Sequence, residues 1–93
     1  MKLVVSEAAQ ADLSRLHDFL AHADPAVARR AVSAIIGAID KLELFAERGR
    51  PSAVSGLREL IIPFGRSSYV VRYFVDGEAI VILRIWHGRE ARP

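Results

Sequence analysis

The 93-residue chain contains no cysteine, and only two of its 13 basic residues are lysine. Without thiols there is no disulfide framework and no thiolate nucleophile. The longest apolar runs fall short of the ~18 residues that a membrane-spanning helix needs, and the first apolar run is too brief for a secretory signal. We therefore expect a cytoplasmic protein with no membrane partner.

Patterns that bind phosphate or metal ions are also lacking. Gly49, Gly56 and Gly65 are isolated, so neither of the two common glycine-rich phosphate loops is present. His17 and His22 lie five residues apart, which does not match the i, i+4 spacing of a helical pair of zinc ligands. The sequence therefore predicts no cofactor and no metal.

Composition and charge indicate one globular domain over residues 1–93. Hydrophobic residues make up 52% of the chain and charged residues 26%, which excludes a disordered protein. The first 48 residues carry six basic and seven acidic side chains, whereas the rest carry seven arginines and four acidic side chains. Because arginine suits contacts with carboxylates and phosphates, the second half is the better candidate for a binding surface, although a GC-rich genome gives the same arginine bias.

The first half of the chain has the pattern of a strand and two helices. Lys2 to Val5 reads as a short strand, and Ser6 is a suitable helix N-cap. Apolar residues then recur at helical spacing over residues 7–22. They are Ala9, Leu13, Leu16 and Leu20.

Asp24 and Pro25 mark the start of a second helix, so the two helices should form an antiparallel hairpin. The apolar face of the second helix is expected to be widened by Ile36 and Phe45. The second helix is expected to end near residues 47–49. The other members of that face are Ala28, Val32, Ile35, Ile39 and Leu42.

The second half is predicted to form three strands, over residues 57–62, 67–75 and 79–86. Asp76 and Gly77 are a typical hairpin turn between the last two strands. The element order is therefore β-α-α-β-β-β. This order predicts an α+β domain of two layers, with the helical hairpin on one face of a mostly antiparallel four-stranded sheet.

Regular alternation along the last strand separates its side chains into two sets. Ile80, Ile82, Arg84 and Trp86 fall on one face, and Val81, Leu83, Ile85 and His87 fall on the other. Arg84 should then lie on the open face beside Arg72. The two arginines either belong to a binding surface or are solvated side chains paired with Glu59 or Glu78. His87, Arg89 and Arg92 at the end of the strand form either a solvated tail or a binding edge, and an imidazole there can act as a general acid or base.

Five short motifs occur in order along the chain. They are S-x-x-A-x-x-D-L from Ser6, R-G-R-P from Arg48, G-L-R-E-L from Gly56, Y-V-V-R-Y from Tyr69 and I-x-R-I-W-H-G-R-E from Ile82. Together they resemble the RelE/ParE superfamily, the toxins of bacterial type II toxin–antitoxin systems. The resemblance implies a cognate antitoxin as partner and a toxin–antitoxin hetero-oligomer.

The superfamily contains two activities. RelE-like members cleave mRNA on the ribosome, and ParE-like members, linked with plasmid stabilisation, inhibit DNA gyrase by binding it. RelE has lysines where this chain has Glu59, Leu60 and Ile61, and an arginine where it has Val70. Only Arg89 matches a basic residue of RelE.

The resemblance therefore implies a ParE-like gyrase inhibitor that is not an enzyme. The residues expected to face the target are Arg84, His87, Arg89 and Arg92, with Tyr69 and Arg66 nearby. The alternative is an mRNA endonuclease in which His87 is the general acid or base and Arg66 and Arg89 hold the phosphate. A third reading is a degenerate module that only binds an antitoxin.

Overall fold

The computed structural model describes residues 2–93 and has two layers, a helical hairpin and a five-stranded sheet, which confirms the predicted α+β fold. Its elements are β1 (Lys2–Val5), α1 (Glu7–Ala23), α2 (Pro25–Lys41), β2 (Arg50–Pro51), β3 (Arg58–Phe64), β4 (Ser67–Asp76) and β5 (Ala79–His87). The strand order across the sheet is β1-β5-β4-β3-β2. Neither helix has the length and apolar composition that would let it cross a membrane.

A single residue, Asp24, forms the turn between the two helices. Its backbone N–H donates to the carbonyl of Leu20 at 2.9 Å, which closes the end of α1. Its side chain accepts from the backbone N–H of Ala26 at 2.9 Å, which caps the start of α2. With Pro25 as the first helical residue, this turn produces the predicted antiparallel hairpin.

The second helix ends at Lys41, earlier than predicted, because a side chain of the sheet holds the following loop. The hydroxyl of Tyr73 donates to the carbonyl of Ala46 at 2.7 Å and accepts from the N–H of Gly49 at 2.8 Å. A Cβ at Gly49 would lie only 2.6 Å from that hydroxyl. Phe45 consequently lies outside the helix and is 62% exposed, so it does not widen the apolar face.

The prediction that Ile36 widens the apolar face of α2 is also wrong, because Ile36 is 44% exposed on the outer side of this helix. The core between the layers is formed by the narrower stripe of each helix and by alternate residues of β3, β4 and β5. Its most deeply buried large members are Ile35, Leu42, Val71, Tyr73, Ile80, Ile82 and Ile85.

The sheet has one strand more than the four predicted. The additional strand is β2, which pairs antiparallel with β3 through Arg50↔Glu59 and Pro51↔Arg58. Two residues are too few to show a strand pattern in the sequence, and Pro51 is tolerated because β2 is an edge strand. At the other edge, β1 runs parallel to β5 and pairs with it from Lys2↔Ala79 to Val5↔Ile82.

A β-bulge in β5 breaks the regular alternation. Tyr73 of β4 pairs with Ile82, whereas its neighbour Arg72 pairs with Arg84, so Leu83 is one extra residue in β5. The bulge divides each of the two predicted sets. Ile80 and Ile82 face the helices together with Ile85 and His87, whereas Trp86 lies on the opposite face.

Candidate functional site

The start of α1 holds the bulge from the side. Ser6 donates from its backbone N–H to the carbonyl of Ile82 at 3.0 Å and from its hydroxyl to the carbonyl of Leu83 at 2.9 Å. Asp12 accepts from the backbone N–H of Ile85 at 2.8 Å. Since β1 pairs with β5 as far as Ile82, these two side chains bind the edge of β5 where the parallel strand stops.

Arg84 also binds Asp12, so it is not a free cation on the open face. Its Nε and one terminal nitrogen donate to the two carboxylate oxygens at 2.8 and 3.1 Å. Burial by itself would raise the pKa of Asp12, but the bonds from Arg84 and from the Ile85 amide, with the charges of Arg84 and Arg15, lower it. Asp12 is 4% exposed and is therefore a buried, ionised link between α1 and β5.

Beyond the bulge, β5 delivers His87 to a cleft beside the second half of α1. His87 pairs across the sheet with Tyr69, and the two rings meet nearly perpendicular with centroids 5.4 Å apart. The cleft has a volume of about 430 Å³. Its lining residues are Leu16, Phe19, Leu20, Phe64, Tyr69, His87, Arg89 and Glu90, and we call it the His87 cleft.

A tight turn fixes the polar end of the His87 cleft. Gly88 donates from its N–H to the carbonyl of Ser68 at 2.8 Å, and a Cβ there would lie 2.7 Å from the Ser68 hydroxyl. The backbone N–H of Arg89 donates to Nδ1 of His87 at 3.1 Å. Glu90 binds Arg15 of α1 at 2.8 Å. Burial, with the negative charge of Glu90, raises the pKa of Tyr69.

The apolar end of the His87 cleft is formed by α1. Phe19 is 78% exposed at its rim, whereas Leu16 is buried and Leu20 is partly buried. Phe19 lies one residue before Leu20 and so falls outside the helical stripe of the core, which is why it was not singled out from the sequence. An exposed phenylalanine that flanks the apolar stripe of an amphipathic helix is nevertheless a signal that sequence reasoning can use.

The opposite face of the sheet holds a separate charge cluster around Glu59, whose residue exposure is 1%. Arg72, Arg92 and Arg50 have nitrogens 3.1, 3.3 and 3.8 Å from its carboxylate. Burial by itself would raise the pKa of Glu59, but hydrogen bonds from Arg72 and Ser52 and the nearby guanidinium charges lower it. Of the two partners expected for Arg72 and Arg84, Glu59 binds Arg72, whereas Arg84 binds neither Glu59 nor Glu78 but Asp12.

The six residues predicted to face a target lie in four places. Tyr69, His87 and Arg89 meet at the His87 cleft. Arg84 is bound to Asp12 and Arg92 to Glu59. Arg66 is exposed in the turn between β3 and β4.

Asp12 and Glu90 were missed as arginine partners because each belongs to a different element from its arginine. Asp12 is 72 residues from Arg84 in sequence, and Glu90 is 75 residues from Arg15. An aspartate at a core-facing helix position, as Asp12 is, was the available signal, since a buried carboxylate needs a partner.

The chain is similar to known toxins over nearly its whole length. The sequence model of the family described as "ParE toxin of type II toxin-antitoxin system, parDE" matches residues 3–92 of this chain. Two Caulobacter vibrioides proteins are similar over most of the chain. "Toxin RelE1" is 41% identical over 97% of this chain and 96% of its own length, and "Toxin RelE3" is 36% identical over 90% of each.

A solved structure shares the fold as well. A chain of the "Chromosomal ParDE TA system from P. aeruginosa" superposes with a TM-score of 0.82 at 32% sequence identity. The match covers 94% of this chain and 95% of the other.

Proposed function

Because this chain belongs to the ParE toxin family of type II toxin–antitoxin systems, with a cognate antitoxin as the implied partner, we propose that it inhibits DNA gyrase by binding it through the His87 cleft. The family is shared by proteins with RelE names and proteins with ParE names, so the residues of the site must favour one activity. The observation that carries the proposal is the shape and composition of this cleft. Its walls are mainly aliphatic and aromatic side chains, with His87, Arg89 and Glu90 at one end.

Such a cleft suits an apolar anchor of a protein partner. Binding hot spots are pockets that exclude water around one large side chain, with polar groups at the rim. Phe19 supplies an exposed aromatic wall and Tyr69 a buried one. Arg89 can pair with an acidic residue of the partner at the rim, while Glu90 is occupied by Arg15.

The same site is poorly suited to cleaving RNA. Phosphoryl transfer needs several cationic groups that converge on the reacting phosphate. Arg89 lines the cleft, but Arg84 is bound to Asp12 and Arg92 to Glu59. Asp12 and Glu59 therefore neutralise two arginines whose positive charges RNA cleavage would need at the phosphate.

The hydrogen bond to His87 argues in the same direction. Because Nδ1 accepts the N–H of Arg89, a neutral ring carries its proton on Nε2. In that tautomer Nε2 is a donor and has no free lone pair, so His87 cannot be the general base that takes a proton from a ribose hydroxyl. A binding role requires no such proton transfer.

Two activity assays on the purified protein test the proposal. We expect inhibition of gyrase-catalysed supercoiling and no cleavage of mRNA on programmed ribosomes. Cleavage of mRNA that disappears in His87→Ala would contradict the proposal and favour the endonuclease alternative. Absence of both activities would favour the third reading, a module that only binds an antitoxin.

A pair of matched variants tests the location of the site. Phe19→Ser removes an aromatic wall of the cleft, and it should weaken gyrase inhibition by about tenfold or more, as loss of a hot spot does. Phe45→Ser is the control, because Phe45 is also exposed but lies on the loop after α2, outside the cleft. Equal loss of inhibition in both variants would contradict the assignment of this cleft.

A further inference from the structure

The direction in which His87 points depends on one extra residue in β5. In an unbroken strand, Ile80, Ile82, Arg84 and Trp86 share a face, and His87 lies on the other. With Ile80 and Ile82 buried against the helices, His87 would then lie on the open face. The bulge at Leu83 reverses this placement and brings His87 beside Tyr69.

A bulge leaves backbone groups of the strand without a partner in the ladder, and such groups are costly when buried. Here the side chains of Ser6, which caps α1, and of Asp12 bind backbone groups of β5 at and just after the bulge, on the edge beyond the end of β1. Ser6 binds the carbonyl of Leu83 and Asp12 binds the N–H of Ile85, at 2.9 and 2.8 Å. The Asp12 bond is buried and spans 73 residues of sequence.

We infer that Asp12, assisted by Ser6, is a positioning residue for the His87 cleft, because it stabilises the bulge that turns His87 toward Tyr69. Asp12 is not among the lining residues of the cleft. It acts on His87 through the backbone of β5, two residues before the imidazole. The inference rests on the proposed function only where it concerns binding of gyrase.

The contact with Arg84 has a part in the same arrangement. Arg84 occupies the strand position opposite Arg72, so an unpaired Arg84 would place two guanidinium groups side by side. By binding two of the three guanidinium nitrogens of Arg84, Asp12 draws this charge away from Arg72 and toward α1. The carboxylate therefore stabilises the side chains of the bulged segment as well as its backbone.

The test compares Asp12→Asn with Asp18→Asn. Both variants remove one negative charge from α1 without changing side-chain volume, but the carboxylate of Asp18 is 81% exposed and its partner is His17 on the same helix. For Asp12→Asn we expect the Ile85 amide to exchange with solvent at least about tenfold faster, because one oxygen becomes an NH2 group that faces the Arg84 guanidinium and the remaining oxygen is an uncharged acceptor. The Asp18→Asn protein should exchange at the wild-type rate.

Nuclear magnetic resonance distinguishes a positioning role from a general loss of stability. In folded Asp12→Asn protein, the proton contacts between the rings of Tyr69 and His87 should weaken. The ¹⁵N shifts of the imidazole should also show that Nδ1 no longer accepts from Arg89. Gyrase inhibition should fall by about tenfold or more, as it does on loss of a binding hot spot. Retention of the ring contacts, the imidazole shifts and the Ile85 exchange rate in Asp12→Asn would overturn the inference.

Ser6→Ala is the second variant, and it tests the inference by the same measurements if Asp12→Asn does not fold. This variant removes the bond to Leu83 but leaves Asp12 in place, and it should shift the same signals in the same direction by a smaller factor. Unchanged signals in folded Ser6→Ala would count against the inference when Asp12→Asn cannot be measured. Wild-type protein that leaves gyrase active would overturn the proposed function, while the exchange rates and ring contacts would still decide the role of Asp12.

Discussion

Glu59→Ala should be among the most damaging single substitutions outside the apolar core. The carboxylate is 1% exposed and its principal partner, Arg72, has a side-chain exposure of 11%. Removal of one member of a buried ion pair costs about 3–5 kcal/mol, because the remaining charge stays buried without a partner. In Glu59→Ala the charge left without a partner would be the guanidinium of Arg72. The Nε of Arg72 already has no hydrogen-bond partner among residues 2–93.

The other two arginines add little to this cost. Arg50 and Arg92 have side-chain exposures of 58% and 51%, so water screens their attraction to Glu59. Exposed ion pairs contribute about 0–1 kcal/mol each. Arg92→Ala should therefore cost less than about 1 kcal/mol, and the loss in Glu59→Ala should arise mainly from Arg72.

These magnitudes predict a large change in melting temperature. A domain of this size is stable by about 5–14 kcal/mol, at ~0.05–0.15 kcal/mol per residue. Each kcal/mol corresponds to about 4–8 °C for a domain of 60–100 residues, so a loss of 3 kcal/mol should lower Tm by about 12 °C or more. Thermal and urea unfolding at pH 7, followed by circular dichroism, would measure the change.

A double substitution distinguishes the pair from its individual members. In Glu59→Leu with Arg72→Met, no charge remains buried, and the methionine can still pack on Trp86 as the Arg72 guanidinium does at 5.0 Å. The free energy of unfolding of the double variant should lie within about 1 kcal/mol of the wild-type value, since apolar replacement of a buried pair is often neutral. If Glu59→Ala costs under about 1 kcal/mol, or if the double variant loses as much as the two single changes together, the reasoning is refuted.

The lowered pKa of Glu59 adds a dependence on pH. A carboxyl group whose folded-state pKa is lowered stabilises the fold above its unfolded pKa, ~4.3 for glutamate. This stabilisation is lost as pH falls through the folded-state value. Wild-type protein should lose stability on acidification below about pH 4.3, and Glu59→Gln should remove part of that slope. An identical slope in both proteins would contradict the lowered pKa.

Three further substitutions test single contacts by the same unfolding measurements. Tyr73→Phe removes the hydroxyl that binds the loop at Gly49, and it should cost about 1–3 kcal/mol; a neutral result would show that another group holds the loop. Gly88→Ala places a Cβ 2.7 Å from the Ser68 hydroxyl and 3.2 Å from its carbonyl oxygen. The free energy of unfolding should fall by about 1–3 kcal/mol, the range for overpacking. An unchanged Tm would mean that β4 moves to make room for the added methyl group. Asp24→Ala removes the N-cap of α2 and should cost about 0.5–2 kcal/mol; an unchanged Tm would show that the cap does not stabilise the helix.

Local sequence patterns accounted for both helices, for every strand except β2, and for the order of these elements. The first helix and the turn at Asp24 follow from apolar spacing and from capping residues, both of which act within a few neighbours along the chain. The hairpin between β4 and β5 likewise follows from Asp76 and Gly77, and Gly77 has a positive φ of 57°. Such interactions are short-range, so the sequence shows them directly.

The family motifs pointed to the family but not to the physical reasons for their residues. In R-G-R-P, Gly49 gives room for the Tyr73 hydroxyl. In S-x-x-A-x-x-D-L, Ser6 and Asp12 bind the bulge. Each of these contacts joins residues from distant parts of the chain, so no window of sequence contains both partners.

The sequence by itself determined a two-layer α+β domain, the helical hairpin and the three long strands, because periodicity and capping are properties of neighbouring residues. The tertiary structure decided which arginines are neutralised and which way His87 points. Both depend on where Asp12 and Glu59 meet their partners, and a single extra residue at Leu83 exchanges the two faces of a strand. Contacts between helix and sheet stabilise that extra residue, and they exist only once the chain has folded.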